Sequence, residues 1–214
     1  PDGTSDLTVD FGGTTATLAG AFDVVTGGAG FFADLGAGLT GVSDGSSDWG
    51  DYDGDGDLDL VVTGRDPSGP STATIYENQG GGTFADLGAG LTGVRNSSSD
   101  WGDYDGDGDL DLVVTGTTDG SSSGATATIY ENDVVGGVRT FTPLTGAGLD
   151  GVVVGSSAWG DYDGDGDLDL VITGRNVFTS RTATIYENQG GGTFAPLTGA
   201  GLTGVVLGSS AWGD

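Results

Sequence analysis

The sequence predicts an all-β fold assembled from one unit repeated four times, and three observations carry that prediction. Trp49, Trp101, Trp159 and Trp212 follow one another at intervals of 52, 58 and 53 residues. The string "WGDYDGDGDLDLVVTG" starts at each of the first three, with Ile172 in place of Val62 as its only change. Between these strings the same segments recur in one order, "TATIYEN" and then "GAGLTGV" or close variants of it. The runs "LDLVVTG" and "TATIYEN" are short, rich in Val, Ile, Thr and Tyr, alternate in side-chain character and are bounded by Gly, Asn and Asp, which is the pattern of strands. No segment has helical period, and 46 glycines oppose one.

Four short strands in roughly 50 residues, separated by Gly-rich turns such as "ENQGGGTF", fit a blade of a β-propeller-type repeat fold, each blade having four antiparallel strands. Residues 49–100, 101–158 and 159–208 are continuous repeats. The fourth blade is split between the N- and C-termini. Placing the C-terminal "SSAWGD" before the N-terminal "PDGTSDLTVDFG" aligns with "SSDWGD" followed by "YDGDGDLDLVVTG". Residues 1–48 plus 209–214 then make the split blade, and 1–214 is a single repeat domain. In a ring this stitching removes a free sheet edge. The same phase match also fits a longer array, or a terminal strand passed head to tail to the next molecule.

Composition narrows the function. The chain has 5 basic residues, all Arg, against 32 acidic ones, for a net charge of −27. Binding to phosphate needs Lys or Arg to neutralise it, so neither nucleic acid nor an anionic membrane is an expected partner. There is no Cys, which excludes disulfides, thiolate metal sites and thiol nucleophiles. No apolar run approaches the ~18 residues of a membrane span. The opening "PDGTSDLTVD" lacks the basic and apolar regions of a signal peptide, which fits a removed leader or a longer chain.

The charge is concentrated: 15 of 29 Asp residues lie in the three repeated strings. Five carboxylates within nine residues repel one another unless a cation joins them. From Asp51 the loop reads D-Y-D-G-D-G-D-L-D. Carboxylates at positions 1, 3 and 5 can converge on a hard cation when Gly at position 6 allows a sharp turn, and Asp51, Asp53, Asp55 and Gly56 hold those places. Asp57 at position 7 offers its backbone carbonyl, and Asp59 at position 9 completes the set. Position 12 is Val62 and no helices flank the loop, so it is not an EF-hand. Magnesium keeps its waters and zinc prefers His and Cys, of which the chain has none, so calcium is the expected ion. The split fourth loop aligns Asp214, Asp2 and Asp6 with positions 1, 3 and 7 but has Thr4 and Thr8 at positions 5 and 9, so weak binding or none is expected there.

At these residues the sequence resembles the FG-GAP and VCBS repeat family, the calcium-loop blades of integrin α-chain heads and of many bacterial secreted proteins. The likeness runs through "WGDYDGDGDLDLVVTG" and the following "TATIYENQGGGTF" and covers essentially the whole chain. It implies a loop joining two neighbouring strands of a blade and rigidified by Ca2+. The implied ligands are Asp51, Asp53, Asp55, Asp57 and Asp59; Asp103, Asp105, Asp107, Asp109 and Asp111; and Asp161, Asp163, Asp165, Asp167 and Asp169. Family propellers usually have seven blades, whereas four repeats are present here. A four-bladed ring, an eight-bladed dimer and a piece of a longer array all remain open.

Other residues carry weaker signals. One Trp per blade at a fixed place reads as core in preference to a sugar-stacking platform. Tyr76, Tyr130 and Tyr186 read the same way, with Glu77, Glu131 and Glu187 as solvated charges at strand ends. Asn96-Ser97-Ser98 matches a glycosylation acceptor in an expected surface loop. Without His, Cys or Lys the chain lacks most general bases and nucleophiles, so it is not expected to be an enzyme. A glycan-processing enzyme would need a carboxyl pair outside the calcium loops. The expectation is an extracellular or cell-surface calcium-binding protein for adhesion or assembly, with a protein or glycan partner and possible head-to-tail self-assembly. The alternative is a lectin-like recognition module, whose variable loops would be "RDPSGPS", "TTDGSSSGA" and "RNVFTSR".

Overall fold

A computed structural model of the chain describes residues 4–10, 15–23 and 35–212. Residues up to 36 and residues from 37 onward form separate compact bodies. In the first, β1 (Thr4–Asp10) and β2 (Thr15–Asp23) pair as an antiparallel hairpin, with Val9 opposite Ala16. The remainder of the split fourth blade at residues 1–3, 11–14, 24–34, 213 and 214 lies outside the described residues, as does Asp214 of its loop.

The second body contains three antiparallel meanders. The first is β3 (Ser43–Gly50), β4 (Asp59–Arg65), β5 (Ser71–Asn78) and β6 (Phe84–Asp86). The second is β7 (Arg95–Gly102), β8 (Asp111–Thr117), β9 (Ala125–Val135) and β10 (Val138–Pro143). The third is β11 (Val152–Gly160), β12 (Asp169–Asn176), β13 (Arg181–Asn188) and β14 (Phe194–Pro196). A single 3-10 turn at Ser122–Gly124 is the only helical element among the described residues. Strand pairing begins each meander six or seven residues before its Trp, so the whole "SSDWG"-type strand belongs with the loop that follows it.

The apolar cores lie between meanders, so the second meander, joined to the third in one sheet by the Val152↔Thr126 pair, is buried on both faces. Val61 and Ile75 of the first pack with Leu112, Val114 and Phe141 of the second. Val113 and Ile129 of the second pack with Trp159, Leu170, Ile172 and Phe194 of the third. This explains why "LVV" at residues 112–114 is apolar at successive positions where a half-buried strand would alternate: Val113 faces one neighbour, Val114 the other, and both are at most 1% exposed. The cores are held at their ends by Tyr130 and Tyr186, whose hydroxyls accept the backbone N–H of Thr92 at 2.9 Å and of Asp150 at 3.1 Å, anchoring the "GAGLTG" connections.

One bulge recurs five residues before Trp49, Trp101 and Trp159, where the pairing with the next strand shifts register. Asp44, Asn96 and Val154 stand there with φ of 53°, 49° and 55°, and Leu207, five residues before Trp212, has φ of 57°. Asp and Asn tolerate this left-handed conformation, whereas a β-branched side chain is strained in it. Val154→Asn is therefore expected to stabilise the chain by about 1 kcal/mol, read as a higher denaturant midpoint at unchanged slope. Asn96 of the glycosylation triplet thus sits in a bulged strand, with Ser98 buried beside it.

Candidate metal centres

The three aspartate loops join β3 to β4, β7 to β8 and β11 to β12, and the ladder ends immediately before and after each of them. The Trp49↔Leu60 and Gly50↔Asp59 pairs fix the loop's two ends side by side. Position 6 then reverses the chain: Gly56, Gly108 and Gly166 have φ of 95°, 97° and 100°, a conformation that side chains rarely adopt. The turn brings positions 1, 3 and 9 together. In Asp51, Asp53 and Asp59, in Asp103, Asp105 and Asp111, and in Asp161, Asp163 and Asp169, one carboxylate oxygen from each residue lies within 4.8 Å of the others.

Positions 5 and 7 stand differently. Asp55, Asp107 and Asp165 each accept a backbone N–H two residues on, at 2.8, 2.9 and 3.0 Å, which braces the turn. Asp57, Asp109 and Asp167 are not in the convergent groups. Asp109 instead forms an ion pair at 2.9 Å with Arg139, whose other Nη donates to the backbone carbonyl of Asp53 at 3.0 Å. Arg139 thus ties the second loop to the first.

Each position 9 aspartate is buried, with Asp59, Asp111 and Asp169 exposed by only 1%, 1% and 2%. Its two oxygens do different work. In the second meander Asp111 Oδ2 accepts the N–H of Tyr104 at 3.2 Å and Oδ1 accepts that of Asn132 at 2.9 Å, fastening loop to sheet. Burial pushes the Asp111 carboxyl up to about 7 and that of Asp59 up to about 6, with the neighbouring loop carboxylates adding to the rise against the lowering hydrogen bonds. Asp169 is raised for the same reasons. Such a group gains from a proton or a cation beside it.

The donor set fits a hard cation. All the convergent atoms are carboxylate oxygens, and Asp51 Oδ1 is buried with no hydrogen-bond partner, while Asp51 Oδ2 accepts from Gly56 N at 3.1 Å. A buried oxygen of this kind is costly unless something positive meets it. In the other two loops the Oδ1 of Asp103 and of Asp161 accepts loop backbone N–H groups at 2.7–3.2 Å, and a divalent ion between positions 1, 3 and 9 would cancel the repulsion of each triad.

The loops are also joined to one another. Asn132 Nδ2 donates to its own loop at Leu110 O, 3.0 Å, and to the preceding loop at Tyr52 O, 2.9 Å. Asn188 repeats this with Leu168 O at 3.1 Å and Tyr104 O at 2.8 Å. Asn78 Nδ2 donates to its own loop at Leu58 O, 3.0 Å. The Tyr and Glu of "YEN" carry the evident sequence signals, and this Asn is a functional residue beside them. Its signal was its recurrence at the same place in all three repeats.

The tryptophans close the seam between meanders. Trp101 stacks on Tyr52 of the preceding loop with centroids 6.2 Å apart and meets Phe141 of its own meander at 5.9 Å. Trp159 does the same with Tyr104 at 6.1 Å and Phe194 at 5.9 Å. Their backbone N–H groups donate to Asp48 Oδ2 at 3.1 Å and Asp100 Oδ2 at 2.8 Å. Trp159 is buried in one core and the half-buried Trp101 packs against the other, whereas Trp49 is 52% exposed.

Asp48 and Asp100 also contact each other, and burial first, then the Asp48 charge, raises Asp100 to about 6. Its folded value exceeds the ordinary 3.8, so its stabilising contribution is fully present below 3.8 and is lost as pH rises through about 6. Asp100→Asn keeps the acceptor for Trp159 and is always neutral. It should raise stability by about 1–2 kcal/mol at about pH 8 and by almost nothing at about pH 4, measured by urea unfolding.

A family model described as FG-GAP-like repeat matches residues 51–114 and 103–172, each match running from one aspartate loop into the β-strand after the next. No curated protein matches the chain.

Proposed function

The chain belongs to the FG-GAP-like repeat family, and from that premise we propose that it is a calcium-stabilised, non-enzymatic β-propeller-type module for adhesion or assembly at the cell surface. The observation that carries the reading is the recurrence of one carboxylate triad, three times, at the same two ladder ends. Calcium accepts oxygen donors in flexible geometry, and extracellular modules hold it at Kd of about 0.1–1 mM, matched to the fluid outside cells. Beside the convergent carboxylates, Asp55, Asp107 and Asp165 and the carbonyls of Asp57, Asp109 and Asp167 complete each proposed shell.

The family is generally non-enzymatic and typically extracellular. No helix of the described residues is long and apolar enough to cross a membrane. The ion's task is structural: it holds the loop that carries Tyr52 or Tyr104 under the next Trp, so each filled loop supports a seam between meanders. Recognition of a protein or glycan falls to the strand connections that differ between repeats, residues 66–70, 118–124 and 177–180. There Phe178 is 81% exposed, which favours a lectin-like or adhesive contact at that tip.

Calorimetric titration of calcium into metal-stripped protein tests the reading. Three ions per chain are expected, and Asp53→Ala should lower the count to two while leaving the other sites unchanged. Heat no greater than that of dilution would overturn it.

A further inference from the structure

The seam between meanders has a direction, and its two halves differ. The trailing face of one meander offers a Ser hydroxyl, a backbone carbonyl and a glycine. The leading face of the next brings a Ser N–H and a Trp. The N–H groups of Ser99, Ser157 and Ser210 donate to the hydroxyls of Ser46, Ser98 and Ser156 at 3.3, 3.1 and 3.0 Å. The indole N–H groups of Trp101, Trp159 and Trp212 donate to the carbonyls of Asp48, Asp100 and Ala158 at 3.4, 3.3 and 3.0 Å. One contact is thus made three times, the last by the C-terminal segment at residues 205–212.

Among the described residues of this body each half is also left unused once. On the leading face of the first meander, Ser47 is exposed where Ser99 and Ser157 are buried, and Trp49 is 52% exposed where Trp159 is 8%. Val62 is half-buried where Val114 and Ile172 are each 1% exposed, and it borders an open depression lined with Leu39, Val42, Ser47 and Leu60. On the trailing side of the C-terminal segment, Ser209 and Ala211 stand at the places of Ser46 and Asp48, and both are exposed. These two faces belong to one compact body and do not cover each other within it.

We propose that the same seam forms between molecules, with the leading face around Ser47 and Trp49 docking on the C-terminal segment of a second copy of this chain. Ser47 N–H then meets the Ser209 hydroxyl, and the Trp49 indole N–H meets the Ala211 carbonyl. The contact is heterologous, so one copy's tail receives the next copy's head and leaves its own head free for another. Asp48 and Asp100 bring two carboxylates together at the first internal seam, whereas Ala211, like Ala158 at the later seams, leaves one such group fewer where two chains of charge −27 must meet.

The inference deepens the assembly reading above, and calcium stoichiometry keeps the two separable. The test is sedimentation velocity and negative-stain microscopy of the full chain in calcium over a range of concentrations, with Trp49→Ala as a blocked head and Ser209→Phe as a blocked tail. Wild type should form particles that lengthen with concentration. Each variant alone should remain a single chain with its calcium count unchanged, and Trp49→Ala should weaken association by about 30-fold or more. An equimolar mixture should give pairs, because one variant keeps a working tail and the other a working head, which a folding defect would not produce. Wild type that stays a single chain at every concentration, as closure within one molecule would give, would overturn the proposal. So would variants that associate like wild type.

Discussion

Gly102→Ala is expected to lower stability by about 3 kcal/mol, a drop of about 10 °C in melting temperature for a body of this size. An added Cβ at Gly102 would lie 2.6 Å from Trp159 Cδ1 and 2.7 Å from its Cγ, with Leu168 at 3.1 Å on the other side. The ring has nowhere to go, being 8% exposed and held between Tyr104 and Phe194. Gly50 is in the same position under Trp101, at 2.8 Å from its Cγ. The "WG" dipeptide is therefore one interlock seen from two sides: its Trp enters the preceding meander's glycine, and its Gly receives the following meander's Trp. Gly41→Ala is the control, since nothing lies within 4 Å of a Cβ there; its effect should stay within about 0.5 kcal/mol.

Chelation is expected to have the larger effect. At free calcium about 100-fold above Kd, each filled loop adds about 2.7 kcal/mol. Three loops in one cooperative body together add about 8 kcal/mol, so a chelator should lower the melting temperature by about 15–30 °C. A pH series separates the ion from mere ionic strength. Without calcium, Asp59 and Asp111 titrate at about 6 and about 7, above their ordinary 3.8. Their protonation stabilises the fold fully below 3.8 and is lost as pH rises through about 6 to 7. The metal-free chain should thus melt higher at about pH 5 than at about pH 8, whereas saturating calcium should flatten that dependence. Equal melting with and without chelator at about pH 8 would contradict the calcium account.

Much of this was legible because each repeat states its chemistry locally. The spacing D-x-D-x-D-G-x-x-D contains positions 1, 3 and 9 and the glycine that turns the chain, and the strands on either side follow from "LDLVVTG" and "TATIYEN". Partners in another meander were not legible. Asn132 looks like a strand-end polar residue, and only the fold reveals that it spans two loops. Gly102 reads as a turn former until Trp159 is seen against it. Val154 reads as an ordinary strand residue, since it lacks the Asp or Asn that marks the same register shift at Asp44 and Asn96. Trp49 matches Trp101 and Trp159 in local sequence, yet it is exposed because no meander precedes it among the described residues of its body.

High-resolution structure determination in calcium tests the central claim most directly. The account predicts one ion in each of the three loops, about 2.3–2.6 Å from carboxylate oxygens of positions 1, 3 and 9. Loops that hold only water at saturating calcium would contradict it.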